Sequence, residues 1–279
     1  MLSVGGLIGC DTYSDDSDSD DELTTVEPMT YSLTAQSNNG LVPSGADGSV
    51  SFIPLSDDKT LVTLELDDGA TDTDVSHVAH IHENDAATGG SIALFLAPID
   101  GTGGGGTSAQ VINQSFSSLT DFNGYVNVHE SAGNLPTLIS QGNIGANAAG
   151  TVAASFNVVS QPETVTYDLT AQSNQGRVPS GVNGTVTFRE FTEDQTLVTL
   201  RLDGGRTGTD ISHVAHIHDN NATTGGPIAF YLAPIDGSDI PANKGVSSKI
   251  VDQPFDTLKN YDGYVNVHES AGSMSTIIS

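Results

Sequence analysis

The sequence predicts an all-β protein made of two tandem antiparallel β-sandwich domains. Three observations carry that expectation. The chain holds 31 glycines and no tryptophan among its 279 residues and is rich in Thr, Val, Ser and Asn, a composition that suits pleated strands and tight turns. No stretch shows the apolar periodicity of an amphipathic helix. The chain also repeats itself: TYSLTAQSNNGLVPSG from Thr30 is answered by TYDLTAQSNQGRVPSG from Thr166, and the match runs on to LAPIDG in both copies. About two thirds of the aligned positions are identical, over a length far beyond that of small solenoid repeats. This is the duplication of a whole domain.

The opening ten residues, MLSVGGLIGC, hold the only cysteine. Leu7-Ile8-Gly9-Cys10 resembles the lipobox of bacterial lipoprotein signals. The resemblance implies cleavage before Cys10 and a lipid on its thiol. The mature chain would then be extracytoplasmic, anchored at the bacterial cell surface or in the periplasm, or secreted. Residues 11–28, DTYSDDSDSDDELTTVEP, are too acidic and too poor in apolar groups to fold alone and read as a disordered tether. The first domain is placed at 29–158 and the second at 159–279.

Within a copy, TLVTLEL (60–66) sets Val62, Leu64 and Leu66 against Thr63 and Glu65, the two-residue period of a strand with one buried face. GSVSFI, SIALFLAPI and GYVNVH supply further short strands bounded by Gly, Pro, Asn and Asp, the spacing of a sandwich or closed barrel. The copies rejoin at FNGYVNVHESAG (122–133) and YDGYVNVHESAG (261–272), and Ser279 aligns with Ser140. The first copy continues from there as Gln141-Gly142-Asn143-Ile144-Gly145, a last strand that the second lacks. The second copy is therefore expected either to be cut short in the given sequence or, since an open edge invites strand addition, to be completed by assembly into a homo-oligomer or filament, with the segment 23–29 as a candidate donor strand.

Histidine is spent in one pattern. HVAHIH stands at 77–82 and again at 213–218, and each copy adds one more, His129 and His268. Residues two apart on a strand share a face, so His80 and His82 point together, away from Ala79 and Ile81. In YVNVH the apolar Val126 and Val128 claim the core, which turns Tyr125, Asn127 and His129 outward. Where the two strands neighbour one another, His80, His82 and His129 converge, and His216, His218 and His268 do so in the second copy. Three imidazoles about 2.0 Å from a common centre form a normal ligand set for zinc or copper, with a position left for water. The expectation is two such ions per chain. Imidazole donors favour Cu(II), then Zn(II). His77 and His213 have the opposite parity and are candidates for a fourth ligand or a supporting residue. Glu83, Glu130, Asp219 and Glu269 are candidates to orient imidazole N–H groups, as carboxylates do around metals.

Other chemistry is thinner. DDGATDTD (67–74) becomes DGGRTGTD (203–210), so Asp67 and Asp74, with Asp203 and Asp210, recur as a candidate calcium pair set in what otherwise reads as a solvated turn. A formal charge of −27, from 35 acids against 8 bases, opposes nucleic acid, whose phosphates need Lys and Arg partners. The same surplus attracts cations. No catalytic residue is identified: no Ser-His-Asp order, phosphate loop or dinucleotide fingerprint occurs. The one enzymatic alternative is a copper oxidoreductase with an open metal position.

AHIHEN, a Gly-Gly turn, IALFLAPIDG and GYVNVHESAG together resemble the CHRD (chordin) domain. The resemblance covers nearly all of both repeats. It implies an extracellular or surface β-sandwich module of the immunoglobulin-like or superoxide-dismutase-like kind, with no general enzyme activity. The pattern of that family finishes with a Gly-Glu-Ile-Arg-Gly-like strand, from which Thr137–Gly142 departs. HIHE is also similar to the HVHE copper strand of Cu/Zn superoxide dismutase, although a chain this acidic would repel an anionic substrate. The function expected is therefore a metal-binding surface module. The alternative is a structural or adhesive surface protein, assembled by strand addition with metal or calcium as a clamp.

Overall fold

A computed structural model describes residues 23–37, 45–67, 75–101, 106–172, 181–203, 211–237 and 245–279. The lipobox with Cys10 and the acidic segment up to residue 22 lie outside them, as do Asp74 and Asp210.

The first part of the chain forms β1 (Leu23–Val26), β2 (Met29–Ala35), β3 (Gly48–Ser56), β4 (Lys59–Leu66), β5 (Ser76–Glu83), β6 (Ile92–Asp100), β7 (Thr107–Ile112), the short helix α1 (Phe116–Thr120), β8 (Asn123–His129), β9 (Leu138–Gly145), β10 (Thr151–Val152) and β11 (Phe156–Val159). The second forms β12 (Thr164–Leu169), β13 (Gly184–Thr192), β14 (Gln195–Leu202), β15 (Ser212–His213), β16 (Ala215–Asp219), β17 (Ile228–Tyr231), β18 (Ile235–Asp236), β19 (Val246–Val251), the helix α2 (Phe255–Lys259) and β20 (Gly263–Val267). The protein is all-β, with large antiparallel sheets.

Alternation sets the core as expected. In β4, Val62, Leu64 and Leu66 are buried; in β8, Val126 and Val128 are fully so. With Ala79 and Ile81 of β5 and Ile139 and Ile144 of β9 they form one apolar cluster within the first repeat. Ala215, Ile217 and Val267 belong to the matching cluster of the second. A third cluster draws on both repeats, packing Ile53 and Leu61 with Phe191 and Leu197.

The sheets are not confined to one repeat each. A 13-stranded sheet runs β12-β13-β14-β19-β7-β4-β3-β2-β9-β8-β5-β6, with β10 paired to β2 off that path. The copies join where β19 meets β7, opposite Ser248 and Ala109. Both are edge strands of their own repeat, and an edge presents unpaired backbone groups that another strand satisfies.

Within the first repeat, β9 is the strand that closes the fold. It pairs with β8 along its whole length, from Asn123↔Gly145 to His129↔Leu138, and with the end of β2 at Thr34↔Gln141 and Ala35↔Ser140. The second repeat has its β17-β16-β20 sheet separate from the β12 sheet.

Leu23–Val26, which the sequence assigns to the tether, forms a strand instead. It pairs as β1 with β11, Leu23 opposite Val159 and Val26 opposite Phe156, while Met29 opens β2 opposite Phe52. The reason is Val26, 6% exposed and packed in the cluster shared by both repeats, an apolar anchor among acidic neighbours. Val26→Asp is expected to lower the unfolding free energy by about 2–4 kcal/mol, because it buries an unpaired charge. Thr24→Ser, at an exposed position, is expected to change it by under about 0.5 kcal/mol. Urea denaturation of both variants checks this.

Candidate metal centres

Three strands build each centre. In the first repeat β5 lies between β6 and β8, with His80 opposite Asn127 and His82 opposite Tyr125. His129 ends β8 on the same side. The pairing of β5 with β6 slips between Ile81 and His82, and β16 with β17 slips in the same way between Ile217 and His218. Such bulges re-aim side chains beside functional sites.

The structure brings His80, His82 and His129 together, and His216, His218 and His268 together, with the ligand atoms of each trio within 4.8 Å of one another. The trios superimpose in their internal geometry. Ring centroids are 5.8, 5.0 and 6.5 Å apart in the first, for His80–His82, His80–His129 and His82–His129. They are 5.8, 5.2 and 6.2 Å apart in the second. Among the described residues, these are the groups of three or more His, Cys, Asp or Glu side chains gathered so closely.

Hydrogen bonding fixes which nitrogen faces the centre. His82 Nδ1 donates to the Gly90 carbonyl at 3.0 Å and His129 Nδ1 to the Leu135 carbonyl at 2.5 Å. His218 Nδ1 donates to Gly226 at 3.0 Å and His268 Nδ1 to Met274 at 2.6 Å. A carbonyl only accepts, so each of these rings carries its proton on Nδ1 and turns the Nε2 lone pair inward when neutral. The consequence is visible as buried polar atoms without a hydrogen-bond partner: Nε2 of His82, His218 and His268, and Nδ1 of His216. Buried polar groups are rarely left so. In the first centre His80 Nδ1 stands 3.2 Å from His129 Nε2.

Burial favours the neutral form of His129, His216 and His268. It holds His129 and His268 below the ordinary histidine value, against the upward pull of their carbonyl partners, with a neighbouring histidine adding to the depression. His216 is pushed down to about 3, by burial first and then by His268, His218 and Lys249.

Aromatic rings wall the centres. Tyr125 stacks on His82 at 4.9 Å and Tyr264 on His218 at 5.0 Å. Phe95 meets His80 edge-on at 4.9 Å, and Tyr231 takes that place against His216 at 4.9 Å.

The supporting residues differ from those read in the sequence. His77 and His213 are fully buried but stand outside the trios. Each donates from Nδ1 to the backbone just after the last ligand, His77 to Glu130 at 2.6 Å and His213 to Glu269 at 2.7 Å. They hold the loop that brings His129 and His268 into place. Burial lowers the pKa of His213 as well.

Three of the four candidate carboxylates are hydrogen-bonded elsewhere. Glu83 accepts from Ser91 Oγ at 2.6 Å, Glu130 from Asn134 and Asp219 from Tyr261, and Glu269 contributes its carbonyl to His213. Backbone carbonyls take the role instead, because the loops that follow β5 and β8 fold back over the rings. Asp67 and Asp203 are exposed turn residues bonded through their amides to the Asp47 and Asn183 carbonyls, at 2.8 and 2.7 Å.

Gly90 and Gly226 are the functional positions that the sequence reading passed over. A Cβ at Gly90 would lie 2.0 Å from the Glu83 carbonyl oxygen, and one at Gly226 would lie 2.1 Å from that of Asp219. Only glycine lets the chain pass close enough to offer its carbonyl to the histidine, and the preceding Gly89 and Gly225 have φ of +75° and +74°. The repeated Thr-Gly-Gly is the signal that could have found them.

No family model matches the chain, and no curated protein or solved structure matches it either.

Neutral buried imidazoles predict the sign of the pH dependence. The unfolded chain takes up protons near a pKa of about 6.5, whereas His129, His213, His216 and His268 resist them in the fold. Stability of the metal-free protein is therefore complete above that value and lost as pH falls through it towards the folded values, about 3 for His216. Thermal unfolding without metal is expected to show the midpoint dropping by several degrees between about pH 7 and 5. A flat or rising midpoint would contradict it.

Proposed function

We propose that the chain is a metal-binding module holding one copper or zinc ion at each three-histidine centre, two per chain. The observation that carries this is the set of inward, partnerless ring nitrogens whose rings are fixed from behind by backbone carbonyls. Leaving polar atoms bare in a buried place costs about 1–3 kcal/mol each, and a cation recovers that cost. The spacing also fits. Two ligands each about 2.0 Å from one ion at a tetrahedral angle stand about 3.3 Å apart, and His80 Nδ1 and His129 Nε2 are 3.2 Å apart.

Imidazole-only donors select copper over zinc in affinity. A bound ion would supply a Lewis-acidic centre; the protein supplies the imidazole donors, a fixed ring orientation and aromatic walls. The net charge of −27 raises the local concentration of cations. It equally disfavours an anionic substrate, so binding rather than turnover is the activity proposed.

The resemblance of both repeats to the CHRD domain supports a surface module built of two tandem β-sandwiches. Export and anchoring through Cys10 follow from its lipobox-like context. Calcium is left out of this reading, since the two aspartates described are exposed turn residues.

Elemental analysis of the purified chain after equal exposure to copper, zinc and calcium is expected to give two transition-metal ions per chain. His80→Ala leaves one, and His80→Ala with His216→Ala leaves none. Transition metal retained in full by the double variant would remove this reading. Gly90→Ala is expected to weaken the first site alone, by about 10–100-fold, in a competitive chelator titration that reports the two sites separately.

A further inference from the structure

Arg189 of β13 aligns with Ile53 of β3, and the two positions differ in kind. Ile53, 5% exposed, lies opposite Leu61 and packs with it in the apolar cluster shared by both repeats. Arg189 lies opposite Leu197 of the same cluster, so its side chain leaves β13 on the corresponding face, where it is half-buried. A cationic fork thus stands where the first copy has a buried aliphatic group. Taking such a charge out of water is costly unless it is paired.

Among the described residues no carboxylate or hydrogen-bond acceptor engages the guanidinium. Glu190, its neighbour in the chain, accepts from the Glu163 amide at 2.7 Å, and Glu163 in turn holds Lys259 at 3.0 Å. Burial lowers the pKa of Arg189, yet an arginine stays charged at any ordinary pH. The group calls for an anion that the described residues do not supply.

A groove of about 590 Å³ opens beside it. Its walls come from both repeats and from the β1–β11 pair: Leu55 after the middle of β3, Phe116 of α1, Val158 of β11 and Phe191 of β13. Val158 and Phe191 are buried and form the floor, while Leu55 and Phe116 are half-buried. Thr24 and Ser160 bring exposed hydroxyls to the rim. An apolar cleft of this size between structural units, with a few polar groups converging on it, has the form of a small-molecule site. Glu27 and Asp57, both exposed, also stand at the rim and repel any second negative charge on a ligand.

We propose that this groove binds a monocarboxylate with an aliphatic body, its carboxylate on Arg189 and its apolar part against Leu55 and Phe116. A guanidinium fork matches a carboxylate with two parallel hydrogen bonds. The net charge of −27 opposes simple anions, so the apolar body must contribute to affinity and small hydrophilic acids are excluded. The site stands apart from metal binding, since no member of either histidine trio lines it.

The test is decanoate titrated onto the purified chain by calorimetry, with the binding place read from amide chemical shifts. Saturation at one decanoate per chain is expected, with shifts centred on Thr24, Leu55 and Phe116. Arg189→Gln is expected to weaken binding at least about tenfold, having lost a charge-assisted pair. Decanol, which has the body without the charge, and sebacate, which has a charge at each end, are expected to bind the unaltered chain at least about tenfold more weakly than decanoate. Without ligand, the thermal midpoint of Arg189→Gln is expected not to fall, because a partly buried charge is removed. Absence of saturable binding, shifts centred elsewhere, or equal binding by the variant, by decanol or by sebacate overturns the proposal. A midpoint several degrees lower in the variant makes Arg189 a structural contact and overturns it too. So does an Arg189 guanidinium already ion-paired in the ligand-free chain and unmoved by decanoate, which assigns the position to a carboxylate of the chain itself.

Discussion

The hydrogen bond from an imidazole Nδ1 to a backbone carbonyl is the constraint around which each repeat is arranged. It occurs at His82, His129, His218 and His268, and it settles tautomer and ring direction together. Without it, each ring could present either nitrogen, and three lone pairs would converge only by chance. Supplying those carbonyls requires that the loop after β5 turn back through Gly89 and Gly90, with a left-handed φ at the first and no room for a Cβ at the second. It also requires that the loop after β8 be drawn inward, which His77 does by gripping the backbone of Glu130. The repeat of each contact in the second copy, through Gly226, Met274 and His213, shows the arrangement to be a unit.

Residues of period two were readable from the sequence because strand geometry leaves them no choice. Once Ala79, Ile81, Val126 and Val128 are assigned to the core, His80, His82 and His129 must lie on the opposite side, and the antiparallel pairing of β5 with β8 brings them together. The supporting contacts were not readable, for a definite reason. A carbonyl acceptor has no residue type: Leu135 and Met274 do the same work although their side chains differ. The carboxylates beside the ligands looked suited to that work by chemistry alone, but Glu130 and Asp219 are spent on Asn134 and Tyr261. Likewise β1 was hidden by its acidic neighbours, since a single buried valine is too weak a pattern to announce a strand.

Long-range pairing was the other blind spot. Alternation identifies strands but is silent on which edges meet, so the join of β19 to β7 across the two repeats could not be foreseen. The 13-stranded sheet it creates means that the copies share backbone hydrogen bonds and, through Ile53, Leu61, Phe191 and Leu197, an apolar cluster. Disturbance at the junction is then felt by both repeats, whereas each histidine trio draws its ligands from one repeat only.

Near-identity of the copies turns each into a control for the other. Where sequence and surroundings agree, as at the trios, the geometry agrees to within a few tenths of an ångström between ring centres. Where the surroundings differ, the same residues behave differently: Tyr31 and Tyr167 have the same side chain and the same place in a strand, yet one is sealed and the other is open. The difference lies in the strand laid against them, not in the residues themselves. The second histidine trio forms without such a strand, since β16, β17 and β20 build its surroundings. Each trio is thus set by the loop carbonyls and the strands of its own repeat, whatever lies against the neighbouring sheet edge.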